Sequence, residues 1–201
     1  MTATPSTIRK AQPFDAPEIW RLFLQLHREN GLFALDPSKV TGFMDRAIHP
    51  ERIPEWDTGP RAQIGVIGPQ GRLEAVVFVL ISSFWYSSEF HLEELLVYVD
   101  PECRKSRHAV ACLAWMKGLS DELKIPLITG IISKERTAAK IRLYDRQLPR
   151  IGAFYLYPKN DIELVKPESV MGEEQKRIRK VGDPNSIVDF LKDSGVPSDM
   201  A

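Results

Sequence analysis

A strand that passes through a basic turn into a helix is the feature that most constrains this chain. Residues 91–117 read HLEELLVYVDPECRKSRHAVACLAWMK: an apolar run typical of a buried strand, a turn at Pro101, and then apolar residues at helical spacing. The first N–H groups of a helix lack backbone partners, and Arg104, Lys105 and Arg107 add positive charge beside them. The segment therefore predicts a binding site for a phosphate or another anion.

Two adjacent acids, Glu93 and Glu94, lie in the strand ahead of this turn. Successive strand residues point to opposite faces, so both carboxylates reach one face only if the strand contains a bulge. The apolar neighbours on both faces predict a central strand that is covered on both sides. Because an unpaired buried charge is costly, one carboxylate must lie in a cleft or have a partner. The residues alone do not decide between these two arrangements.

The rest of the chain predicts the element order β-α-α-β-β-β-α-β-α-β. Strands are expected at residues 7–10, 62–67, 73–82, 91–99, 127–132 and 151–157, and helices at 16–30, 37–49, 107–124 and 134–148. A Pro/Gly turn at residues 68–71 joins the second and third strands into a hairpin, whereas the later strands alternate with helices. This order predicts an α/β fold with a central mixed, mostly antiparallel sheet that is flanked by helices.

The composition indicates one folded domain and a polar extension. A hydrophobic share of 43% among 201 residues is enough for a sizeable core. Beyond Pro158 the sequence becomes polar and rich in proline and glycine, so we expect a domain over residues 1–158. Residues 159–201 form an extension, partly disordered or strapped to the surface, with one short helix at 186–192.

Charge, hydropathy and cysteine usage limit the classes of ligand. Lys+Arg and Asp+Glu both total 27, which argues against a nucleic acid or an anionic membrane as the main ligand. No secretion signal and no apolar run long enough for a membrane span is evident, so we expect a cytoplasmic protein without membrane contact. Two cysteines make no disulfide framework, and His27, His49 and His108 show no metal-ligand spacing, so no metal site is predicted.

Several motifs together resemble the GNAT family of N-acetyltransferases, in particular its small branch found in phages and prophages. The matching residues are ELLVYVDPECRKSRHA at 94–109, GIIS at 130–133, Arg136-Thr137, LYDR at 143–146 and Ile151-Gly152. The match extends over residues 7–157 of the chain, and its distinctive motifs lie in the second half. The resemblance implies the acyl-CoA N-acyltransferase fold, acetyl-CoA as co-substrate, and a primary amine of a small molecule, peptide or protein as acceptor.

The resemblance also implies roles for individual residues. The turn before the helix would hold the pyrophosphate of acetyl-CoA, the end of the strand would pair with its pantetheine, and Thr137 stands where many relatives have an Asn. Glu94, with Glu93 as second candidate, would be the general base for the attacking amine, and Tyr144 would protonate the leaving thiolate. The expected cofactor contacts are Val97, Tyr98, Val99, Arg104, Lys105, Ser106, Arg107, His108, Ala109 and Thr137.

One departure from the family pattern affects the expected activity. Arg107 stands where the family usually has a Gly that allows close backbone approach to the phosphates. Arg107 either has an ordinary helical conformation with its side chain outward, or it reduces or abolishes cofactor affinity. The second interpretation favours an alternative function, a catalytically weak or inactive GNAT-fold module that binds a protein or nucleic-acid partner. A homodimer is compatible with either function.

Two other features remain open at this point. His91, at the start of the strand, is a minor alternative base, although a lone His at a strand end is more often simply exposed. The aromatic connection at residues 84–88 is either a loop packed over the end of the sheet or a wall of the substrate pocket.

Overall fold

The computed structural model describes residues 7–55, 57, 59–133 and 136–152. The strands are β1 (Arg9–Lys10), β2 (Arg61–Ile67), β3 (Ala75–Ser83), β4 (Phe90–Val99) and β5 (Leu127–Ile128); the helices are α1 (Ala16–Asn30), α2 (Pro37–Ile48), α3 (His108–Leu123) and α4 (Thr137–Asp145). Short 3-10 helices lie at Pro13–Asp15, Pro50–Arg52 and Pro101–Cys103. The predicted order is confirmed from β1 to α4. Among these residues, no helix combines the length and apolarity that a membrane crossing requires.

Three sequence predictions fall partly or wholly outside the described residues. The last predicted strand covers residues 151–157, of which only 151 and 152 are described, and neither is in a strand. The extension at 159–201, with its short helix at 186–192, also lies outside, so the domain boundary stays a prediction.

The five strands form one mixed sheet in the order β1-β2-β3-β4-β5. The pairs from β1 to β4 are antiparallel, and β5 is parallel to β4. The β2–β3 connection requires Gly68, whose φ is +120° and whose added Cβ would lie 2.5 Å from the Arg72 carbonyl oxygen. The mixed, mostly antiparallel sheet is the one that the sequence predicts.

Helices cover both faces of the sheet. The first two helices pack on one face, where the buried core comprises Ile19, Leu22, Met44, Ile64, Val66, Val76, Phe78 and Tyr98. The third helix packs on the other face, where the core comprises Val77, Val79, Leu92, Cys112, Leu113 and Met116. These two clusters explain why β4 is apolar on both sides, since each face of the strand contributes to a different core.

A bulge in β4 changes which residues face which helices. Phe78 on β3 lies opposite Leu96, but the next residue, Val79, lies opposite Glu94, so Leu95 is the extra residue. Before the bulge, Leu92 packs in the core under α3, and residues at even spacing from it, including Glu94, share this face. After the bulge the phase shifts, so that Val97 and not Leu96 packs on the α3 side.

The fifth strand separates from β4 almost at once. β4 and β5 are paired only at Leu92–Leu127 and Glu93–Ile128, although β4 continues to Val99. The predicted strand at 127–132 is therefore too long. The chain beyond Ile128 leaves the sheet, and its apolar residues line the space that opens between this segment and β4. In the described part of the chain, the β5-side edge of β4 has no strand partner beyond Glu93.

Candidate active site

A cleft of about 550 Å³ opens where β5 leaves β4. Its walls come from the end of α1, the second half of β4, the turn before α3, the segment after β5, and α4. Most residues expected to contact cofactor or substrate line it: Glu93, Glu94, Val97, Tyr98, Val99, Arg104, Ser106, Ala109 and Tyr144. Lys105, Arg107, His108 and Thr137 are not part of the lining.

Glu94 and Tyr144 form the polar centre of this cleft. The Tyr144 hydroxyl donates to the Glu94 carboxylate, at 2.7 Å from Oε1 and 2.8 Å from Oε2. The ring of Tyr144 packs against the core under α3, and this packing fixes the hydroxyl below the strand. The bulge at Leu95 sets the face on which Glu94 stands, so the sheet register and α4 together create the contact.

The burial of this pair tunes both groups. Burial raises the pKa of Glu94 to about 7, although the Tyr144 hydrogen bond and the positive charge of Lys140 oppose the rise. Burial and the charge of Glu94 raise the pKa of Tyr144, so the phenol keeps its proton at neutral pH. A carboxylate that is about half ionised near pH 7 is suited to accept a proton, and the phenol is suited to donate one.

Glu93 lines the same cleft from a different position. It lies opposite Ile128 on β5 and Leu80 on β3, one residue before Glu94 and therefore on the other face of the strand. In the described part of the chain its side chain makes no hydrogen bond or ion pair. Only Glu94 of the two acids has a proton-donating partner inside the cleft.

The other end of the cleft reaches the N-terminus of α3. Among the described residues, the N–H groups of Ala109 and Val110 have no backbone acceptor, as expected for the first turn of a helix. The N–H of His108 donates to Ser106 Oγ at 3.2 Å. The N–H groups of Ala109 and Val110, with the helix dipole behind them, provide donors for an anion.

Arg107 is the N-cap of α3 and has φ −92° and ψ 15°. This negative φ is accessible to residues with a side chain, so the turn itself does not need the glycine of the family pattern. The Arg107 side chain is exposed and lies outside the cleft lining. The side chain is outward, as in the first interpretation, but the backbone of Arg107 is not helical, and its effect on cofactor affinity stays a prediction.

Arg104 lines the cleft, but its guanidinium is already paired. It donates to Glu29 Oε2 on α1 at 2.5 Å and to the Tyr98 hydroxyl at 3.3 Å, while the Tyr98 hydroxyl donates to Glu29 Oε1 at 2.7 Å. Burial and the neighbouring Glu29 raise the pKa of Tyr98. The positive charge that the sequence assigns to the anion site is therefore balanced in part by Glu29.

Three further predicted contacts lie away from the cleft. Lys105 is exposed, and Thr137 Oγ1 donates to the Ser133 carbonyl at 2.9 Å at the start of α4. His108 is buried on the opposite side of the turn, with Nε2 at 2.6 Å from Glu74 Oε2. Any contact of His108 with a ligand in the cleft would come from its backbone.

The same turn contains a cluster of metal-ligand residue types. One side-chain ligand atom each from Glu74, Cys103 and His108 lie within 4.8 Å of one another. The hydrogen bond between His108 and Glu74 already accounts for two of them. The absence of a metal site stays a prediction.

The aromatic connection after β3 and the minor candidate base lie together outside the cleft. His91 is buried and stacks on Phe84 with a centroid distance of 4.5 Å, and Phe84 stacks in turn on Tyr86 at 5.3 Å. None of these residues contributes to the cleft lining. The rings pack on one another at the end of the β3–β4 hairpin, as in the loop interpretation.

Sequence reasoning did not identify a polar chain on the far wall of the cleft. Lys140 Nζ donates to Ser133 Oγ at 2.6 Å, and Ser133 Oγ donates to Asn30 Oδ1 at 2.6 Å. Lys140 precedes Tyr144 by four residues, so both lie on one face of α4 and both line the cleft. This spacing was the available signal, but a lysine on a short helix is usually a solvated residue.

The fold of this chain is similar to that of solved structures, although its sequence matches no known family. No family model and no curated protein matches the sequence. The structure is similar to aminoglycoside acetyltransferase AAC(6')-Iy in complex with the bisubstrate analogue CoA-S-monomethyl-acetylneamine (12% identity, 78% of this chain and 99% of that one, TM-score 0.57). The chain has the GNAT acetyltransferase fold.

Two further solved structures share this fold. A predicted acetyltransferase with acetyl-CoA from Clostridium acetobutylicum has 14% identity over 76% of this chain and 95% of that one, with a TM-score of 0.57. The ribosomal-protein-alanine N-acetyltransferase from Brucella melitensis biovar Abortus 2308 has 14% identity over 78% of this chain and 100% of that one, with a TM-score of 0.56. The narrower resemblance to a phage-like branch has no support among these structures.

Proposed function

We propose that this chain is an acetyl-CoA-dependent N-acetyltransferase that transfers the acetyl group to a primary amine by direct attack. The observation that carries the proposal is the Glu94–Tyr144 pair, a base and an acid in direct contact inside the cleft between β4 and β5. Further support comes from two solved structures with the same fold, one described with a CoA bisubstrate analogue and the other with acetyl-CoA.

The residues along the cleft fit acetyl-CoA as co-substrate. The edge of β4 beyond Glu93 is unpaired in the described structure, so the backbone at Val97, Tyr98 and Val99 can receive an extended pantetheine arm. The N–H groups at Ala109 and at the turn before it suit the pyrophosphate. Arg107 and Lys105 add positive charge from the surface, while the backbone makes the direct contacts.

Proton transfer then follows from the central pair. Glu94 removes the proton that the attacking amine loses, and Tyr144 supplies a proton to the thiolate that leaves when the thioester C–S bond breaks. Because the phenol and the carboxylate share a hydrogen bond, the proton gained by Glu94 can return to Tyr144 after the reaction. Glu93 is the second candidate base, since it reaches the cleft from the neighbouring position.

The nature of the amine is the finer part of this proposal. Among the structural neighbours, one carries an aminoglycoside-like bisubstrate analogue and another is described as acting on a ribosomal protein. Small-molecule amines and protein or peptide amines are therefore both tested as acceptors.

A second candidate function is a GNAT-fold module that binds a partner protein without efficient catalysis. The observation in its favour is the internal pairing at the anion site, where Glu29 holds Arg104 and Ser106 accepts the N–H of His108. A zero formal net charge argues against a nucleic acid as the partner. The two functions differ in whether acetyl-CoA is consumed.

The test is an acetylation assay with a panel of acceptors. The full chain is incubated with acetyl-CoA and, in separate reactions, an aminoglycoside, a polyamine and a peptide with N-terminal Ala, and both free thiol and acceptor mass are measured. We expect thiol release that depends on one acceptor class, a loss of about a hundredfold in Glu94→Gln, and a smaller loss in Glu93→Gln. Saturable acetyl-CoA binding without amine-dependent thiol release in any class would favour the binding module.

A further inference from the structure

A half-buried lysine is part of the cleft but has no place in the mechanism above. Lys140 lies one turn before Tyr144 on α4, and both residues line the cleft. Its Nζ is held by Ser133 Oγ at 2.6 Å, and Ser133 is itself anchored to Asn30 at the end of α1. The amine is therefore fixed inside the cleft by a hydrogen bond, and not by an ion pair.

The charged groups around Lys140 come from four parts of the fold. Glu94 on β4 is engaged by Tyr144, and Glu29 on α1 is engaged by Arg104; Arg104 and Arg136 add positive charge nearby. Within the described part of the chain, no carboxylate lies within 4.0 Å of the Lys140 amine.

These surroundings disfavour the charged ammonium relative to that of an exposed lysine. Burial lowers the pKa of Lys140, and the positive charges of Arg104 and Arg136 lower it further against the opposing effect of Glu29 and Glu94. A neutral amine is the nucleophilic form of a lysine.

We propose that Lys140 is a self-acetylation site, whose ε-amine accepts the acetyl group from acetyl-CoA in the cleft beside Tyr144 and Glu94. The proposal rests on the proposed function for the presence of the acetyl donor. It adds an acceptor that belongs to the chain itself.

The reaction balances without any further reactant. After the ammonium of Lys140 releases one proton to solvent, its nitrogen attacks the thioester carbonyl carbon, a C–N bond forms, and the C–S bond breaks. The nitrogen loses one proton to Glu94, and the thiolate gains one proton from Tyr144, which recovers it from Glu94 through their hydrogen bond. The products are an uncharged acetyl-lysine and CoA with a free thiol.

The experiment is a time course of acetylation without any added amine. The full chain is incubated with acetyl-CoA at pH 7.5, and intact mass and peptide mass spectrometry follow each lysine. We expect Lys140 to gain one acetyl group about a hundredfold faster than Lys117, an exposed lysine on α3 that reports the uncatalysed reaction. The rate per chain should not change with protein concentration, because the reaction is intramolecular.

Variants separate a catalysed reaction from simple reactivity. Lys140→Arg should abolish the fast phase, and Lys117→Arg should leave it unchanged. Tyr144→Phe should slow acetylation of Lys140 about tenfold or more without changing Lys117. Circular dichroism and thermal unfolding of each variant show that the fold is retained, and Lys140→Met provides a second variant if Lys140→Arg unfolds.

The outcomes distinguish this proposal from the proposed function. If calorimetry shows that acetyl-CoA binds but Lys140 is modified no faster than Lys117, self-acetylation is wrong and the proposed function stands. If acetyl-CoA does not bind, both are wrong. If the rate per chain rises with protein concentration, one chain modifies another and self-acetylation is wrong.

Discussion

Replacing Glu94 with Gln should stabilise the fold at neutral and alkaline pH, because the wild-type chain holds an ionisable carboxyl in a position that disfavours its charge. The pKa of Glu94 is raised from 4.5 to about 7 by burial. A difference of this size between folded and unfolded chains corresponds to up to about 3 kcal/mol of unfolding free energy. Gln has a similar shape and still offers an oxygen to the Tyr144 hydroxyl.

The sign of the pH dependence follows from the direction of the pKa change. Below about pH 4.5 the Glu94 carboxyl is protonated in both the folded and the unfolded chain, so the wild type and the Glu94→Gln variant should have similar unfolding free energies. Between pH 4.5 and about 7 the unfolded chain loses the proton first, and the wild-type chain loses stability relative to the variant. Above about pH 7 the difference is constant at its maximum.

Urea unfolding of both proteins at pH 4.5, 6, 7 and 8.5 measures this difference directly. Glu93→Gln is the matched control, since it removes the same charge from the neighbouring residue of the same strand and cleft. A Glu94→Gln variant that is equally or less stable than the wild type at pH 8.5 would refute the reasoning. In that case the cleft would hold the carboxylate with compensating partners.

Three further predictions concern the proton pair, the anion site and the core. Tyr144→Phe removes a hydrogen bond that lowers the pKa of Glu94, so the rising limb of the pH–rate profile should move about 1 to 2 pH units upward, and turnover should fall about a hundredfold. Glu29→Gln removes a negative charge beside Arg104 and should tighten acetyl-CoA binding about fivefold by calorimetry. Ile64→Ala, at a fully buried position, should cost about 2 to 5 kcal/mol in urea unfolding.

Each of these predictions has a matched control on the surface. Tyr86→Phe alters an exposed tyrosine outside the cleft and should leave the pH–rate profile unchanged. Glu51→Gln removes an exposed carboxylate outside the cleft lining, and the acetyl-CoA binding constant of this variant should equal that of the wild type. Leu123→Ala truncates a side chain at the end of α3 that is 37% exposed and should cost well under half as much as Ile64→Ala.

Local patterns in the sequence were enough to predict the element order and the segment that forms the cleft. Apolar periodicity and Pro/Gly turns identify each helix and strand from β1 to α4, because these signals act within a few residues. Strand alternation also predicts that Glu93 and Glu94 point to opposite faces of β4 unless a bulge lies between them. The location of the bulge at Leu95 depends on the register between β3 and β4. This register is set by the packing of the two hydrophobic cores, one on each face of the sheet, and the sequence does not show which residues belong to which core.

The contacts that the sequence did not predict all join distant parts of the chain. Glu29 and Arg104 are 75 residues apart, and no local pattern connects an acid at the end of α1 with a basic turn. The apolar residues after Ile128 looked like a longer strand because they fit a strand locally, yet the chain departs from β4 there. Lys140 lines the cleft because of that departure, since the cleft opens where β5 leaves β4.

The most direct measurement for the central claim is a calorimetric titration of the full chain with acetyl-CoA. Ala109→Glu is the comparison variant, because it places a carboxylate at the expected pyrophosphate site while an acid in the first turn of α3 suits the helix dipole and preserves the fold. The account predicts one saturable site per chain in the wild type and at least about tenfold weaker binding in the variant. The absence of saturable heat at millimolar acetyl-CoA, or equal binding by both proteins, would contradict it.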